Sequence, residues 1–247
     1  MKKAIVFSLT VMLIGLLGGY LIGLYTFSYY TDDMRALILE QVNTKEIFYL
    51  ITTLQSGVYA LVASFFGYLM ATRLNLMHKL TFDKERLKRI SIQVFLLGIF
   101  FFLDAPVFGH FIPEVALEYQ KGISPSYFAA SLIYGGIIEE ILLRLFFMTL
   151  IAFIISLIQR KKIVSNKALM IANIVAAFVF AIGHIPTTIS LFGHLNFLIL
   201  FRCFLLNGLF GFVFGTYYIK YGIQYAMLGH MGVHLVSKIL LMIFYTI

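Results

Sequence analysis

Seven runs of apolar residues, each near the length of a bilayer crossing, govern what this chain can fold into. They lie at about 4–30, 47–72, 91–111, 126–159, 168–186, 195–219 and 222–246. Hydrocarbon offers backbone amides no water, so such a run closes its hydrogen bonds internally, as a helix of about 20 residues. A membrane β-strand would alternate polar and apolar residues over about 10 positions, and these runs do not. The chain is 61% hydrophobic and 12% charged, about half the charge of an ordinary soluble domain. The sequence predicts an all-α polytopic membrane bundle of seven to eight transmembrane helices, one integral membrane domain over 1–247. Lys2 and Lys3 precede the first run, but no small-residue cleavage pattern follows it, so it reads as a retained span and not a signal peptide.

The net charge is +8. The basic side chains lie in short connections between apolar runs, which points to membrane orientation and away from nucleic acid. With the N-terminus inside, the cytoplasmic connections hold Lys2, Lys3, Arg73, Lys79, Lys84, Arg86, Lys88, Arg89, Arg160, Lys161, Lys162, Lys167 and Lys220. The outer ones hold Arg35, Lys45 and Lys121. The bias alternates correctly through every connection, which supports this topology; the compact size, lack of accessory domains and lysine-rich N-terminus fit a bacterial cytoplasmic membrane. Segment 73–90 is basic and partly amphipathic, either a surface helix drawn to anionic lipid or a solvated loop. Segment 187–194 follows Pro186, a helix stop, and either re-enters the membrane or caps its surface. Gly15, Gly19 and Gly23 share a helix face, as do Gly211 and Gly215, the pattern of close helix packing. The single cysteine, Cys203, excludes an internal disulfide and reads as a small buried hydrophobe.

An ionisable group in hydrocarbon costs several kcal/mol, so those inside the spans need a reason. The fourth run reads GGIIEEILLRLFF. Glu140 and Arg144 are four apart, on one helix face, and can neutralise each other. Glu139, about 100° round the helix, is left to face a cavity. A carboxyl group poorly solvated by water holds a proton more tightly, which suits a general base. The fifth run, FVFAIGHIP, puts Phe180 and His184 on one face. The last, LGHMGVH, does the same with His230 and His234, which can converge on a metal, a water or an oxyanion. Taken alone, His184 reads as a packing hydrogen bond and the Glu140–Arg144 pair as structural. Together, one free carboxylate and three histidines in apolar spans read as a site. Asp104, Arg202 and Lys238 read as structural: Lys238 snorkels or pairs, Arg202 pairs with a carboxylate, and Asp104 precedes a helix break at Ala105-Pro106. His110 and His194 lie near the outer surface, and His78 in the basic connection.

The order EExxxR (Glu139, Glu140, Arg144), FxxxH (Phe180, His184), then His230 followed four residues later by His234, resembles the CPBP intramembrane endopeptidases. This group includes the CAAX prenyl endopeptidases of the Rce1 type and the bacterial Abi proteins. The resemblance covers 125–245. It implies a helical membrane fold with its site in a cavity within the bilayer and an activity of peptide-bond hydrolysis without a cofactor. Glu139 with His184 resembles the pair that activates water, and His230 with His234 the pair that stabilises the oxyanion. Glu140, Arg144 and Phe180 match supporting positions. The prenyl-protease branch commonly has asparagine where His234 stands. Histidine can donate to an oxyanion but can also bind metal. A zinc peptidase with His184, His230 and His234 as ligands and Glu139 as base is therefore the alternative. A non-enzymatic membrane binding or immunity protein is a third reading, and a Cys203 peptidase a remote fourth. The partners implied are membrane lipid and a membrane-associated peptide or protein. In bacteria the roles implied are peptide maturation, signal-peptide processing or bacteriocin self-immunity.

Overall fold

The computed structural model describes residues 1–161 and 163–245. Lys162 and position 246, the expected end of the last span, lie outside the described residues. Every regular element among the described residues is helical. Seven helices are long and apolar enough to cross a membrane: Lys2–Tyr29, Lys45–Arg73, Lys84–Phe111, Pro125–Ile158, Asn166–Phe192, Phe197–Tyr221 and Ile223–Tyr245. They are called spans one to seven below. The chain is an integral membrane protein.

Polar side chains set where the helices begin. Thr31, Thr44, Asp83, Ser124, Ser165 and Asn196 each accept a hydrogen bond from the backbone N–H three residues on, satisfying an otherwise orphaned donor. On span one, small residues face inward and large apolar ones face out. The buried residues of span one are Ala4, Ser8, Val11, Gly15, Gly18, Gly19 and Gly23, while Leu9, Leu13 and Leu17 on its other faces are exposed. Lipid tails are as apolar as leucine, so helices gain by close backbone approach. A Cβ added at Gly15 would come within 2.6 Å of Ala60 Cβ on span two. Gly211 and Gly215 likewise press span six against Ala177 and Asn173 of span five. Span four is central and touches spans one, two, five, six and seven.

The connections gather at two ends. At one end, the Gln224 amide donates to Lys79 O at 3.0 Å and the Asp83 N–H to the Tyr225 hydroxyl at 2.8 Å. At the other, Arg202 of span six donates to Asp104 at 2.7 Å, and Phe108, Ile112, Val115, Phe192 and Ile199 form a small apolar core. The Arg202–Asp104 pair is the carboxylate partner expected for Arg202.

Several boundaries differ from those the apolar runs suggest. The third span starts at Lys84, so the basic segment divides: 74–83 is a connection and 84–90 is the first part of the span. The span breaks at Leu103, between Lys84–Phe102 and Asp104–Phe111. The fifth span breaks at His184, and Pro186 stands in the first turn of the helix Ile185–Phe192, where its missing N–H costs nothing. Segment 187–192 is thus helical, and it ends at Gly193 with φ +73°, a left-handed position that glycine adopts freely. Two short helices, Asp32–Val42 and Pro113–Gln120, lie between spans. Their polar, non-spanning composition hid them from a search for apolar runs.

Candidate active site

Span four does not hold its charged residues on an ordinary α-helix. It is π-helical over Ser131–Glu139 and again over Ile141–Met148. Span six has a third such stretch, Phe204–Leu209. π-Helical turns are rare, widen the helix and concentrate at functional positions. Glu139 and Glu140 sit at the junction of the two stretches in span four. Residue spacing cannot reveal this, because π and α turns use the same apolar residues.

The two adjacent glutamates face different surroundings. Glu140 is wholly buried. Its Oε1 accepts a hydrogen bond from His230 Nδ1 at 2.8 Å, and its Oε2 lies 3.3 Å from Arg144 Nε. Arg144, 1% exposed, also donates from Nη2 to Gly211 O at 3.1 Å and lies 4.7 Å over the Phe180 ring. One buried guanidinium therefore ties span four to spans five and six, and one buried carboxylate ties it to span seven. Glu139 is half-buried and makes no hydrogen bond or ion pair among the described residues. It opens onto a cavity of about 430 Å³, whose lining also includes His184, His230, His234 and Phe180. The residues of three separate sequence motifs thus meet at one void. Glu140 and Arg144 stand behind its wall.

The ring contacts assign hydrogens to two of the three histidines. His184 Nδ1 lies 2.8 Å from Phe180 O. A carbonyl oxygen only accepts, so Nδ1 carries the proton and the neutral ring keeps its lone pair on Nε2. The break in span five at His184 turns this ring toward the cavity, and Phe180, one turn earlier, supplies the oxygen that orients it. His230 Nδ1 likewise donates to the Glu140 carboxylate. The His230 and His234 rings stack with centroids 4.9 Å apart. Their Nε2 atoms lie 3.8 and 3.3 Å from the point a Cβ of Gly135 would occupy. Glycine at 135 keeps open the space in front of both rings. Among the described residues, no group of three or more His, Cys, Asp or Glu side chains is placed to hold a metal ion.

Residues 122–236 match the family model described as type II CAAX prenyl endopeptidase Rce1-like. Over these residues the chain is similar to that family. The family is one of proteases, and the match together with the seven spans supports a membrane endopeptidase. No curated protein and no solved structure matches the chain. The Rce1-like segment carries Glu139, Glu140, Arg144, Phe180, His184, His230 and His234, all seven residues that the motifs single out. It does not carry the whole cavity. Ile22, Tyr25 and Thr26 of span one and Phe101 of span three complete the wall, so the N-terminal half contributes more than generic helices.

Some lining residues carried no motif. Asn207, inside span six, faces the cavity and donates from Nδ2 to Cys203 O at 2.9 Å. Its signal was legible: a primary amide in LLNGL is as anomalous in hydrocarbon as a charge. Tyr134 and Thr187 also line the void, and neither stands out in the sequence. Lys238 departs from the structural reading. It is 1% exposed and so does not snorkel, and it pairs with no acid among the described residues. Its Nζ lies 3.4 Å from His234 Nδ1 and 4.2 Å from the centre of the Tyr127 ring. Cys203 is buried and free, as a small apolar residue would be.

Proposed function

We propose that this chain is an intramembrane endopeptidase that hydrolyses a membrane-associated peptide or protein in the cavity beside Glu139. The observation that carries this reading is the convergence of Glu139, His184, His230 and His234 on one cavity inside an Rce1-like bundle. A void of about 430 Å³ suits a short stretch of extended peptide and one water, within the roughly 300–1,000 Å³ usual for ligand sites.

In this mechanism a water held by Glu139 and the Nε2 lone pair of His184 attacks the scissile carbonyl carbon. Glu139 takes the proton as the C–O bond forms. The carbonyl π electrons move to oxygen, and the oxyanion accepts a hydrogen bond from Nε2–H of His234, and from His230 Nε2 where that ring holds a second proton. Donors aimed at developing charge in a water-poor site are worth far more than in water. The tetrahedral intermediate collapses as the proton passes from Glu139 to the leaving nitrogen, and the C–N bond breaks. Glu140 and Arg144 hold the spans in register. His230 is turned by Glu140, much as a buried acid orients the histidine of a hydrolytic triad. We place the N-terminus inside on the loop charges, and assign the protein to a bacterial cytoplasmic membrane. Peptide maturation, signal-peptide processing and bacteriocin self-immunity are the roles this fits.

Wild type and Glu139→Gln, purified in detergent, are to be compared on a membrane-peptide library by mass spectrometry, with and without chelator. Cleavage by wild type alone, indifferent to chelator, is the expected result. Cleavage lost with chelator would move the case to zinc held by His184, His230 and His234. Equal cleavage by the variant would remove Glu139 from the chemistry.

A further inference from the structure

The two stacked histidines have different neighbours behind them. His230 has a carboxylate at Nδ1 and His234 has an amine at Nδ1. A carboxylate can only accept, so the His230 proton sits on Nδ1, and His230 offers an N–H at Nε2 only when it holds a second proton. An ammonium has three N–H donors and no acceptor. Facing one, a neutral imidazole places its lone pair on Nδ1 and its proton on Nε2. We infer that Lys238, held as an ammonium over the Tyr127 ring, is a positioning residue that keeps His234 as the Nε2–H tautomer, making it the neutral oxyanion donor of the site.

Four observations support the assignment. Lys238 is buried within span seven, one turn beyond His234, and the Tyr127 ring beneath its Nζ holds it in place by cation–π attraction. No carboxylate competes for that amine among the described residues, so its direct polar partner is His234 Nδ1. The opposite edge of the His234 ring, Nε2, faces the side-chain-free surface of Gly135 on the cavity wall. The hydrogen that Lys238 directs to Nε2 is therefore directed to the void. Phe101 packs against the His234 ring edge-on, with centroids 5.7 Å apart, and limits a ring flip that would exchange the two nitrogens. Lys238 lies two residues beyond the Rce1-like segment, which ends at 236. It stands beside a histidine, where an asparagine would need no such help. An amide N–H₂ donates whichever tautomer its neighbours would prefer.

This inference rests on the endopeptidase reading for its consequence, but not for its first test. Histidine-selective ¹⁵N labelling in detergent micelles gives six ring systems, with His234 assigned by its loss in His234→Asn. The long-range ¹H–¹⁵N pattern distinguishes the tautomers with no substrate present. Wild type is expected to show His234 protonated at Nε2, and Lys238→Met to show a mixture. Lys238→Gln, whose amide can still donate, is expected to restore the wild-type pattern. A wild-type ring protonated at Nδ1, or a pattern unchanged in Lys238→Met, would overturn the inference whatever the protein cleaves.

The second test is a double-mutant cycle on peptide cleavage. Lys238→Met in the His234 background is expected to lower kcat at least about tenfold with KM little changed. The roughly 10²- to 10³-fold cost of losing one oxyanion donor bounds the loss. In the His234→Asn background the same substitution is expected to change kcat less than about threefold, because the amide carries its own donor. An equal loss in both backgrounds would reduce Lys238 to a packing role and refute its action through His234. If wild type cleaves nothing, the endopeptidase reading fails on its own, and the tautomer spectrum still decides the place of Lys238.

Discussion

Glu140→Gln should destabilise this protein more than any other single isosteric change in the site. Glu140 and Arg144 are 0% and 1% exposed, so neither charge has water to fall back on. The carboxylate meets two partners, His230 Nδ1 at 2.8 Å and Arg144 Nε at 3.3 Å. With the charge gone, Arg144 keeps one hydrogen bond, to Gly211 O, and its cation–π contact with Phe180. Its Nη1 already lacks a partner. An uncompensated buried charge costs about 3 to 5 kcal/mol, which is two to more than three decades in the unfolding equilibrium. The neighbouring Glu139→Gln removes a half-buried carboxylate with no partner among the described residues and should stay within about 0.5 kcal/mol of wild type. Unfolding in mixed micelles, titrated with a denaturing detergent and read by circular dichroism, measures both. The double variant Glu140→Leu/Arg144→Met removes both charges and should recover most of the loss, since an apolar pair of similar volume is often no worse than a buried ion pair. If Glu140→Gln proves as stable as Glu139→Gln, or the double variant falls below Glu140→Gln, then the pair is not the clamp inferred from its geometry.

Other outcomes follow from particular contacts. Gly135→Ala should fold, yet lose most cleavage, because its methyl would fill the space 3.3 Å from His234 Nε2; retained activity would move the oxyanion elsewhere. Gly19→Leu should weaken the packing of spans one and two by about 1 to 3 kcal/mol or more, the range for overpacking, since even its Cβ would overlap Thr52 O and Ser56 Cβ; the same micelle titration tests it. Asp104→Asn should cost about 2 to 3 kcal/mol by leaving Arg202 half-satisfied. That is less than for Glu140, because 15% of the Arg202 side chain remains accessible. Cys203, 2% exposed, should resist a thiol-alkylating reagent in the folded protein and react only once the bundle opens; rapid labelling of the native protein would place that face of span six against solvent.

Sequence alone determined the class of this protein and the identity of its notable residues. Bilayer thickness and the lack of water in hydrocarbon turn each long apolar run into a helix, so seven spans are readable without any contact information. The cost of ionisable groups in that medium makes Glu139, Glu140, Arg144, His184, His230 and His234 conspicuous from their positions. Small residues at four-residue spacing marked the faces of spans one and six, because close approach needs them at any sequence. Tertiary structure alone decided how these parts divide the work. Four-residue spacing already paired Glu140 with Arg144 and left Glu139 to a cavity; only packing adds His230 as the second partner of Glu140 and builds the void itself from several spans. Only packing brings span one, Phe101 and Asn207 to the same cavity. Lys238 is the clearest case. Its sequence context allowed snorkelling or an ion pair, and both are local expectations. Its actual neighbours, His234 from the turn before and Tyr127 from span four, depend on how two helices far apart in sequence meet.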